Sequence, residues 1–332
     1  MRQLTPSLDP DVRGGTSATG VPTSGVVRRG DRVFSGLSTG SGIFVVGLIA
    51  AIGLFLLSQA IPALRRNEAN FLTSREWSVG DPDAMRFGIA DLLWTTVLSS
   101  VTAMLIAVPV AIGVALYITQ YAPARLARPV AYTIDTLAAV PSIIFGLWGI
   151  QVLAPKLKPV SGWMQDNLGF IPIFGATGVS FGTVFVASVV LAIMILPIVT
   201  AISREVFAQV PTTHVEGALA LGATKWEMIR TAVLPFGRPG VISASMLGLG
   251  RALGETIAVL LILSRAASGA DFDPSLFAGG QTFASRIASS AAEFDTPLKA
   301  GAFIAAGLVL FVITFAVNAA ARVVVNRRRE FS

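Results

Sequence analysis

Two oppositely charged residues interrupt an apolar stretch in the last third of the chain. Arg251 and Glu255 lie in the sequence 248–256, GLGRALGET. A guanidinium stays charged and offers a planar fork that matches phosphate oxygens, and a nearby carboxylate can accept a proton from a protonated oxyanion. Phosphate carries such an O–H group at neutral pH and sulfate does not. We therefore predict an anion pathway at Arg251, Glu255 and Thr256.

The spacing of the two charges adds a structural expectation. Positions i and i+4 share one face of a helix, which predicts that Arg251 and Glu255 lie side by side. Gly250 and Gly254 repeat the same spacing one position earlier, a pattern typical of close helix contacts in membranes. A charge at the centre of a membrane helix costs about 2.5–3.5 kcal/mol, so it usually serves a function. Two interpretations stay open: an anion site, or a self-neutralising ion pair that holds helices together.

The elements that must position these residues are membrane helices. The 332 residues are 53% hydrophobic and 13% charged, with a mean hydropathy of +0.72, which argues against a soluble enzyme. Crossing a bilayer takes about 20 apolar residues. Six stretches are long enough, at roughly 42–61, 92–117, 131–153, 179–202, 239–264 and 300–321. The predicted fold is all-α, a polytopic membrane protein with six transmembrane helices.

The basic residues predict how the chain is oriented. With both termini inside, the inner segments hold 15 basic and 7 acidic residues, and the outer loops hold 9 and 10. This asymmetry favours cytoplasmic termini of a multi-pass protein in the inner (plasma) membrane, and it speaks against nucleic-acid binding. We expect a disordered tail at 1–40, a transmembrane domain at 41–325 and a basic C-terminus at 326–332. Asp135, at the start of the third span, is expected to face headgroups or to pair with a basic residue.

Several residue types narrow the chemistry further. The chain has no cysteine and one histidine, His214, so we expect no metal site. Pro109, Pro141 and Pro197 interrupt predicted spans, either as tolerated kinks or as hinges that line a path. No Gly-Lys pair occurs, so the chain lacks a Walker A loop for nucleotide phosphates.

The loop after the fourth span predicts an elbow of two short helices at residues 211–235. Thr213 with Glu216, and Thr224 with Glu227, each fit a capping box that starts a helix. Gly222 between them suits a left-handed helix end. At Pro235 we expect the second helix to stop.

This elbow resembles the EAA loop of ABC importer permeases. The match runs from Glu216 to Gly222 and, after nine residues, through Ala232 to Pro235; Gly217 and Ala232 depart from the family pattern. In that family the elbow docks on an ATPase subunit and transmits its closure. The resemblance implies this coupling role for a set of elbow residues, namely Glu216, Ala218, Gly222, Lys225, Leu234 and Pro235.

Two further stretches resemble the phosphate-specific ABC permeases of the C type (PstC). They are 249–259, LGRALGETIAV, and 140–149, VPSIIFGLWG. The resemblance implies a type I importer permease fold, without catalytic residues or a cofactor on this chain, since ATP and Mg²⁺ would be bound by the partner ATPase. It also implies an A-type permease, a dimer of ATP-binding subunits and an extracytoplasmic phosphate-binding protein as partners, within the lipid bilayer.

Three alternatives remain at this point. The chain could be a permease for another oxyanion, such as sulfate or molybdate. It could be a gradient-driven secondary transporter that uses Glu255 as its proton site. It could also be mainly a scaffold that signals phosphate status.

Overall fold

A computed structural model describes residues 29–81, 84–175, 182–264 and 272–329. In these ranges, six helices are long and apolar enough to cross a membrane, which confirms the all-α, six-span prediction. Their bounds are Arg32–Arg66, Ala90–Tyr121, Ser142–Leu168, Val184–Ala208, Lys225–Gly254 and Pro297–Val323.

The helices follow one another with few other elements. In chain order they are α1 (Arg29–Arg66), α2 (Ala90–Leu116), α3 (Ala124–Ala138), α4 (Ser142–Trp148), α5 (Ala154–Leu168), α6 (Val184–Ala208), α7 (Thr212–Ala220), α8 (Lys225–Met228), α9 (Leu234–Gly254), α10 (Ile257–Ile262), α11 (Phe283–Ser289) and α12 (Pro297–Arg329). Three π-helical turns link neighbours, at Tyr117–Tyr121, Gly149–Leu153 and Ile229–Val233. Two short antiparallel strands, β1 (Trp77–Ser78) and β2 (Arg86–Phe87), lie between α1 and α2.

The chain divides into two compact units after Ala51. The described part of the first unit is the N-terminal stretch of α1, whose side chains are almost all exposed. Because α1 starts at Arg29, residues 29–40 are helical, so the predicted tail boundary at 40 is wrong. Residues 1–28 of that tail lie outside the described ranges.

Helix α6 forms the centre of the second unit and packs against α2 and α9. A row of alanines four residues apart on α2 is fully buried, at Ala103, Ala107, Ala111 and Ala115. Val190, Ile195 and Val199 of α6 are also fully buried. Alanine at every fourth position lets two helix backbones approach closely, which is how membrane helices gain contact area without a hydrophobic driving force.

The third predicted span, 131–153, is wrong as a single helix. Helix α3 ends at Ala138, and α4 begins at Ser142 with Pro141 in the N-cap position. The residue before a proline is driven out of the α region, so the helix ends ahead of Pro141 and a new one starts after it. The spanning segment is Ser142–Leu168 instead.

The fifth predicted span, 239–264, is also broken. Helix α9 ends at Gly254, Glu255 has extended backbone angles (φ −68°, ψ 124°), and α10 starts at Ile257. The spanning segment runs from Lys225 to Gly254. The break therefore falls between the two charged residues that the sequence placed on one helix face.

Candidate functional site

Arg251 and Glu255 do not share a helix face. Arg251 lies in the last turn of α9, while Glu255 is the residue that ends it. Within the described ranges no ion pair of 4.0 Å or less joins the two side chains, so the interpretation of a self-neutralising pair is wrong for this conformation. A cation in the last turn of a helix is favoured by the partial negative charge of the unsatisfied carbonyls.

Arg251 lacks a polar partner for part of its guanidinium. The residue is half-buried, and its Nε is shielded from solvent without a hydrogen-bond partner in the described part of the chain. Leaving a buried donor on a charged group unsatisfied costs more than a typical hydrogen bond gains. An oxyanion beside Arg251 would satisfy this donor and neutralise the charge.

Glu255 is held by the helix that follows it. Its Oε1 accepts the backbone N–H of Ala258 at 3.2 Å, at the start of α10. A carboxylate satisfies a free N–H group there and interacts well with the positive end of the helix. Thr256 donates its hydroxyl to the carbonyl of Gly254 at 3.1 Å, so this hydroxyl is occupied locally. The break thus presents one guanidinium and one positioned carboxylate.

The segment after Glu255 packs on the segment after Pro141. A Cβ built on Gly146 of α4 would lie 2.9 Å from the Cα of Ala258, so the two backbones touch where only glycine fits. A Cβ on Gly149 would lie 2.7 Å from Cγ2 of Val190 on α6. The two motifs at 140–149 and 249–259 therefore meet in space, which their separate positions in the sequence did not reveal.

The elbow has the predicted form, with one error at its start. Thr224 and Glu227 make the predicted capping box: Glu227 N–H donates to Thr224 Oγ1 at 3.3 Å, and Thr224 N–H donates to Glu227 Oε2 at 2.8 Å. Gly222 has a positive φ of 84°, as predicted for a left-handed helix end. The box at Thr213 is wrong, because α7 begins at Thr212 with Pro211 in the N-cap position and no side-chain cap.

The helix does not end at Pro235. A π-helical turn at Ile229–Val233 leads into α9, where Leu234 and Pro235 form the first turn. Proline lacks an N–H and crowds the preceding turn, and a wider π turn makes room for it. The predicted helix end is therefore wrong, and the elbow is continuous with the helix that carries Arg251.

The outer surface of the elbow is exposed. Glu216, Gly222 and Lys225 are exposed, and Ala218 is half-buried against the apolar cluster beneath. Leu221 is 91% exposed and Trp226 is 58% exposed, and Leu221 lies outside the membrane-spanning helices, where lipid would not cover it. Such side chains next to exposed charges are typical of an interface, so this surface suits a partner protein.

A cleft of about 390 Å³ lies under α7. Its lining comes from the end of α2, the end of α6 and α7 itself, through Thr119, Gln120, Phe207, Ala208, Val210, Thr212, Val215 and Glu216. Glu216 makes no ion pair in the described ranges and is open to solvent.

Two side-chain contacts join different segments at the end of the bundle where the elbow lies. Lys225 Nζ lies 4.6 Å from the ring centroid of Tyr121, at the end of the π-helical turn that follows α2. Arg204 of α6 pairs with Asp135 of α3, with 3.4 Å between Nη2 and Oδ2, which confirms that Asp135 pairs with a basic residue. The sequence alone gave no signal for the Lys225 contact, because its two partners come from distant segments.

The three candidate prolines occupy different positions. Pro109 lies inside α2 and Pro197 inside α6, and both helices continue through them. Pro141 lies at the break between α3 and α4. Among the described residues, no group of three or more His, Cys, Asp or Glu side chains could hold a metal ion.

Comparisons with known proteins agree on one family. Residues 107–330 match the family model described as binding-protein-dependent transport system inner membrane component. The PstC 2 phosphate transport system permease of Mycobacterium tuberculosis is 56% identical over 300 residues, covering 90% of this chain and 92% of that protein. The PstC permeases of Mycobacterium leprae and Xylella fastidiosa are 54% and 38% identical, covering 91% and 90% of this chain and 95% and 91% of theirs.

Solved structures show the same fold at low sequence identity. An inward-facing form of the MetNI methionine ABC transporter matches with a TM-score of 0.51 at 16% identity, over 71% of this chain and 94% of that one. A bacterial ABC transporter involved in the import of alginate matches with a TM-score of 0.53 at 15% identity, over 71% of this chain and 78% of that one.

Proposed function

The chain belongs to the family of binding-protein-dependent transport system inner membrane components, and on this premise we propose that it is the permease subunit of an ATP-driven importer of inorganic phosphate. Relatives that are named phosphate transport system permeases are 38–56% identical over about 90% of this chain. The structure adds an arginine suited to an anion and an exposed elbow suited to a partner. Phosphate is the substrate that fits the arginine and the names of these relatives.

One observation carries the anion assignment. The Nε of Arg251 is buried and unpartnered in the described ranges, in the last turn of a membrane-spanning segment whose helix breaks at Glu255. Broken membrane helices are where transporters place their substrate sites. The Glu255 carboxylate is held by a hydrogen bond from the N–H of Ala258, beyond the break. It would accept a hydrogen bond from the O–H group of phosphate, or gate the site. Thr256 would contribute to the pathway through its backbone at the break, because its hydroxyl already donates a hydrogen bond to the carbonyl of Gly254.

The energy would come from a partner ATPase. The elbow, with Glu216, Ala218, Gly222, Lys225, Leu234 and Pro235, would dock on that subunit and move when it closes. Because the elbow continues into α9, its movement would reach Arg251 along one continuous helix. This chain would then carry no catalytic residue and no cofactor, while ATP and Mg²⁺ would be bound by the ATPase.

The full assembly would contain further subunits. Permeases of this family work with an ATPase and a binding protein. For this chain we propose an A-type permease as the second half of the pathway, an ATPase dimer on the elbow side and a phosphate-binding protein on the opposite side. The elbow side would be cytoplasmic, with both termini on that side.

The decisive experiment reconstitutes the assembled complex in liposomes and measures ATP hydrolysis and uptake with phosphate, sulfate or molybdate. Phosphate alone should stimulate both. Stimulation by sulfate or molybdate instead would contradict the substrate assignment, and uptake by this chain alone under a proton gradient would contradict ATP-driven import. Glu216→Arg should uncouple hydrolysis from uptake, whereas Glu68→Arg, the same exposed charge reversal outside the membrane-spanning helices, should leave coupling unchanged.

A further inference from the structure

Helix α3 lies at the elbow end of the bundle and does not cross it. Its first residue follows the π turn that ends α2, and near its other end Asp135 contacts Arg204, one turn from the end of α6. The ends of α2 and α6 pack with the elbow in one apolar cluster that includes Leu116, Phe207 and Ile229. Both ends of α3 therefore lie at the same level, and its 15 residues, about 22 Å long, are too short for a core of about 30 Å.

Three strips of side chains run along α3, and the exposed Tyr132, Thr133 and Thr136 lie on the face turned away from the protein. One strip packs against the protein and contains a buried residue, Ile134, and half-buried alanines at 127, 131 and 138. A second strip, on one side of it, is apolar and exposed: Leu126, Val130 and Leu137 are 37–52% exposed. Their spacing of four and seven residues places them in one row along the helix.

The third strip, on the opposite side, is charged. It carries Arg125, Arg128 and Asp135, and Asp135 is already paired with Arg204. Arg125 and Arg128 are exposed, and neither has an acidic partner within 4.0 Å in the described ranges. An apolar row and a basic row on opposite sides of a helix are the pattern of helices that lie in the plane of a membrane surface.

We propose that α3 is an interfacial helix that binds anionic phospholipid in the leaflet on the elbow side. The row Leu126–Val130–Leu137 enters the acyl region, and Arg125 and Arg128 bind the headgroup phosphates. Charge complementarity favours lipid over a second permease subunit. The two unpaired arginines lie opposite the apolar row, on the side where anionic lipid headgroups would surround a helix in the membrane surface. The contact of Ile134 and the Asp135–Arg204 ion pair hold the helix against α6 in this orientation.

The first test locates α3 with spin labels on the full chain, in its assembled complex in lipid nanodiscs. The chain has no cysteine, so single substitutions label it without background. Leu126→Cys, Val130→Cys and Leu137→Cys should be accessible to oxygen, and Thr136→Cys to a water-soluble nickel reagent. Oxygen access at all four positions would indicate a spanning helix, and low access to both reagents would indicate a partner subunit; each result would overturn the proposal.

The second test measures lipid preference. A bimane fluorophore attached to Leu126→Cys is quenched by spin-labelled phosphatidylglycerol or phosphatidylcholine, and the quenching ratio reports local enrichment. We expect enrichment of the anionic lipid, lowered by about fivefold for each arginine removed in Arg125→Gln and Arg128→Gln. Arg125→Lys with Arg128→Lys should keep it, and the matched pair Arg65→Gln with Arg86→Gln should not lower it. Equal quenching by both lipids in the unmodified background would refute anionic lipid binding, whatever substrate the complex transports.

Discussion

The ammonium group of Lys225 lies over the ring of Tyr121, with 4.6 Å between Nζ and the ring centroid. The contact joins the second helix of the elbow to the π-helical turn that follows α2. Beneath it, Met228 and Ile229 pack with Ala115 and Leu116 in a buried apolar cluster. Movement of the elbow therefore reaches α2 directly, as well as α9 along the chain.

This contact predicts a coupling defect that depends on the chemistry of both partners. Tyr121→Ala removes the aromatic face, and an exposed cation–π contact contributes about 0.5–1 kcal/mol. We expect less phosphate uptake per ATP hydrolysed, with normal assembly. Tyr121→Phe and Lys225→Arg each keep a cation over an aromatic ring and should preserve the ratio of phosphate taken up to ATP hydrolysed. Equal losses in Tyr121→Ala and Tyr121→Phe would mean that the phenol hydroxyl matters and the ring does not.

Two glycines in the elbow should respond in opposite directions. A Cβ would meet nothing within 4 Å at Gly217 or Gly222, but only Gly222 has a positive φ. Gly222→Ala should destabilise the elbow by about 1–2 kcal/mol, because left-handed backbone is strained for alanine. Gly217→Ala should stabilise α7 by up to about 1 kcal/mol. Amide hydrogen exchange of residues 212–228 measures both, and protection that changes alike in the two variants would contradict this account.

The elbow was predictable because its signals are local. Thr224 with Glu227, and Gly222 before them, specify a cap and a turn within six residues. The failure at Thr213 has a local cause too: Pro211 takes the N-cap position, so the helix starts two residues earlier than predicted and Thr213 falls inside it.

The break at Glu255 was not predictable from periodicity. A four-residue spacing assumes one continuous helix, but the Glu255 carboxylate caps α10 instead, and α10 is held by α4. The contact that fixes it, between Gly146 and Ala258, joins segments far apart in the sequence. The third span failed for a different, local reason: apolar composition continues through Pro141, but the helix ends before that proline.

The α4–α10 contact predicts a strong effect from one methyl group. Gly146→Ala would place its Cβ 2.9 Å from the Cα of Ala258, so a backbone must shift. Overpacking of this kind typically costs about 1–3 kcal/mol. We expect a lower melting temperature and reduced uptake. Gly113→Ala on α2, where a Cβ would meet nothing within 4 Å, is the matched control and should lower neither the melting temperature nor uptake.

The side chain of Arg251 should support phosphate uptake while lowering the thermal stability of the complex. Arg251→Met removes a buried, unpartnered donor and keeps most of the side-chain volume. We expect unchanged or higher thermal stability of the complex together with loss of phosphate uptake, since a partly unsatisfied charge is costly to bury. Purified complexes would be compared by thermal unfolding and by uptake in liposomes. A variant that loses stability and keeps transport would show that Arg251 is a structural residue.

Glu255 combines two tasks that two substitutions can separate. Its Oε1 accepts the N–H of Ala258, and its negative charge lies beside the break that follows Arg251. Glu255→Gln keeps an oxygen that can accept the same N–H but removes the charge and the ability to take up a proton. Glu255→Ala removes all three. We therefore expect Glu255→Gln to keep the melting temperature and lose uptake, while Glu255→Ala loses uptake and also about 0.5–2 kcal/mol of stability, the usual cost of deleting a helix cap. If Glu255→Gln transports phosphate at the normal rate and only Glu255→Ala is impaired, the carboxylate serves α10 alone, and proton acceptance from the substrate must be assigned to another group.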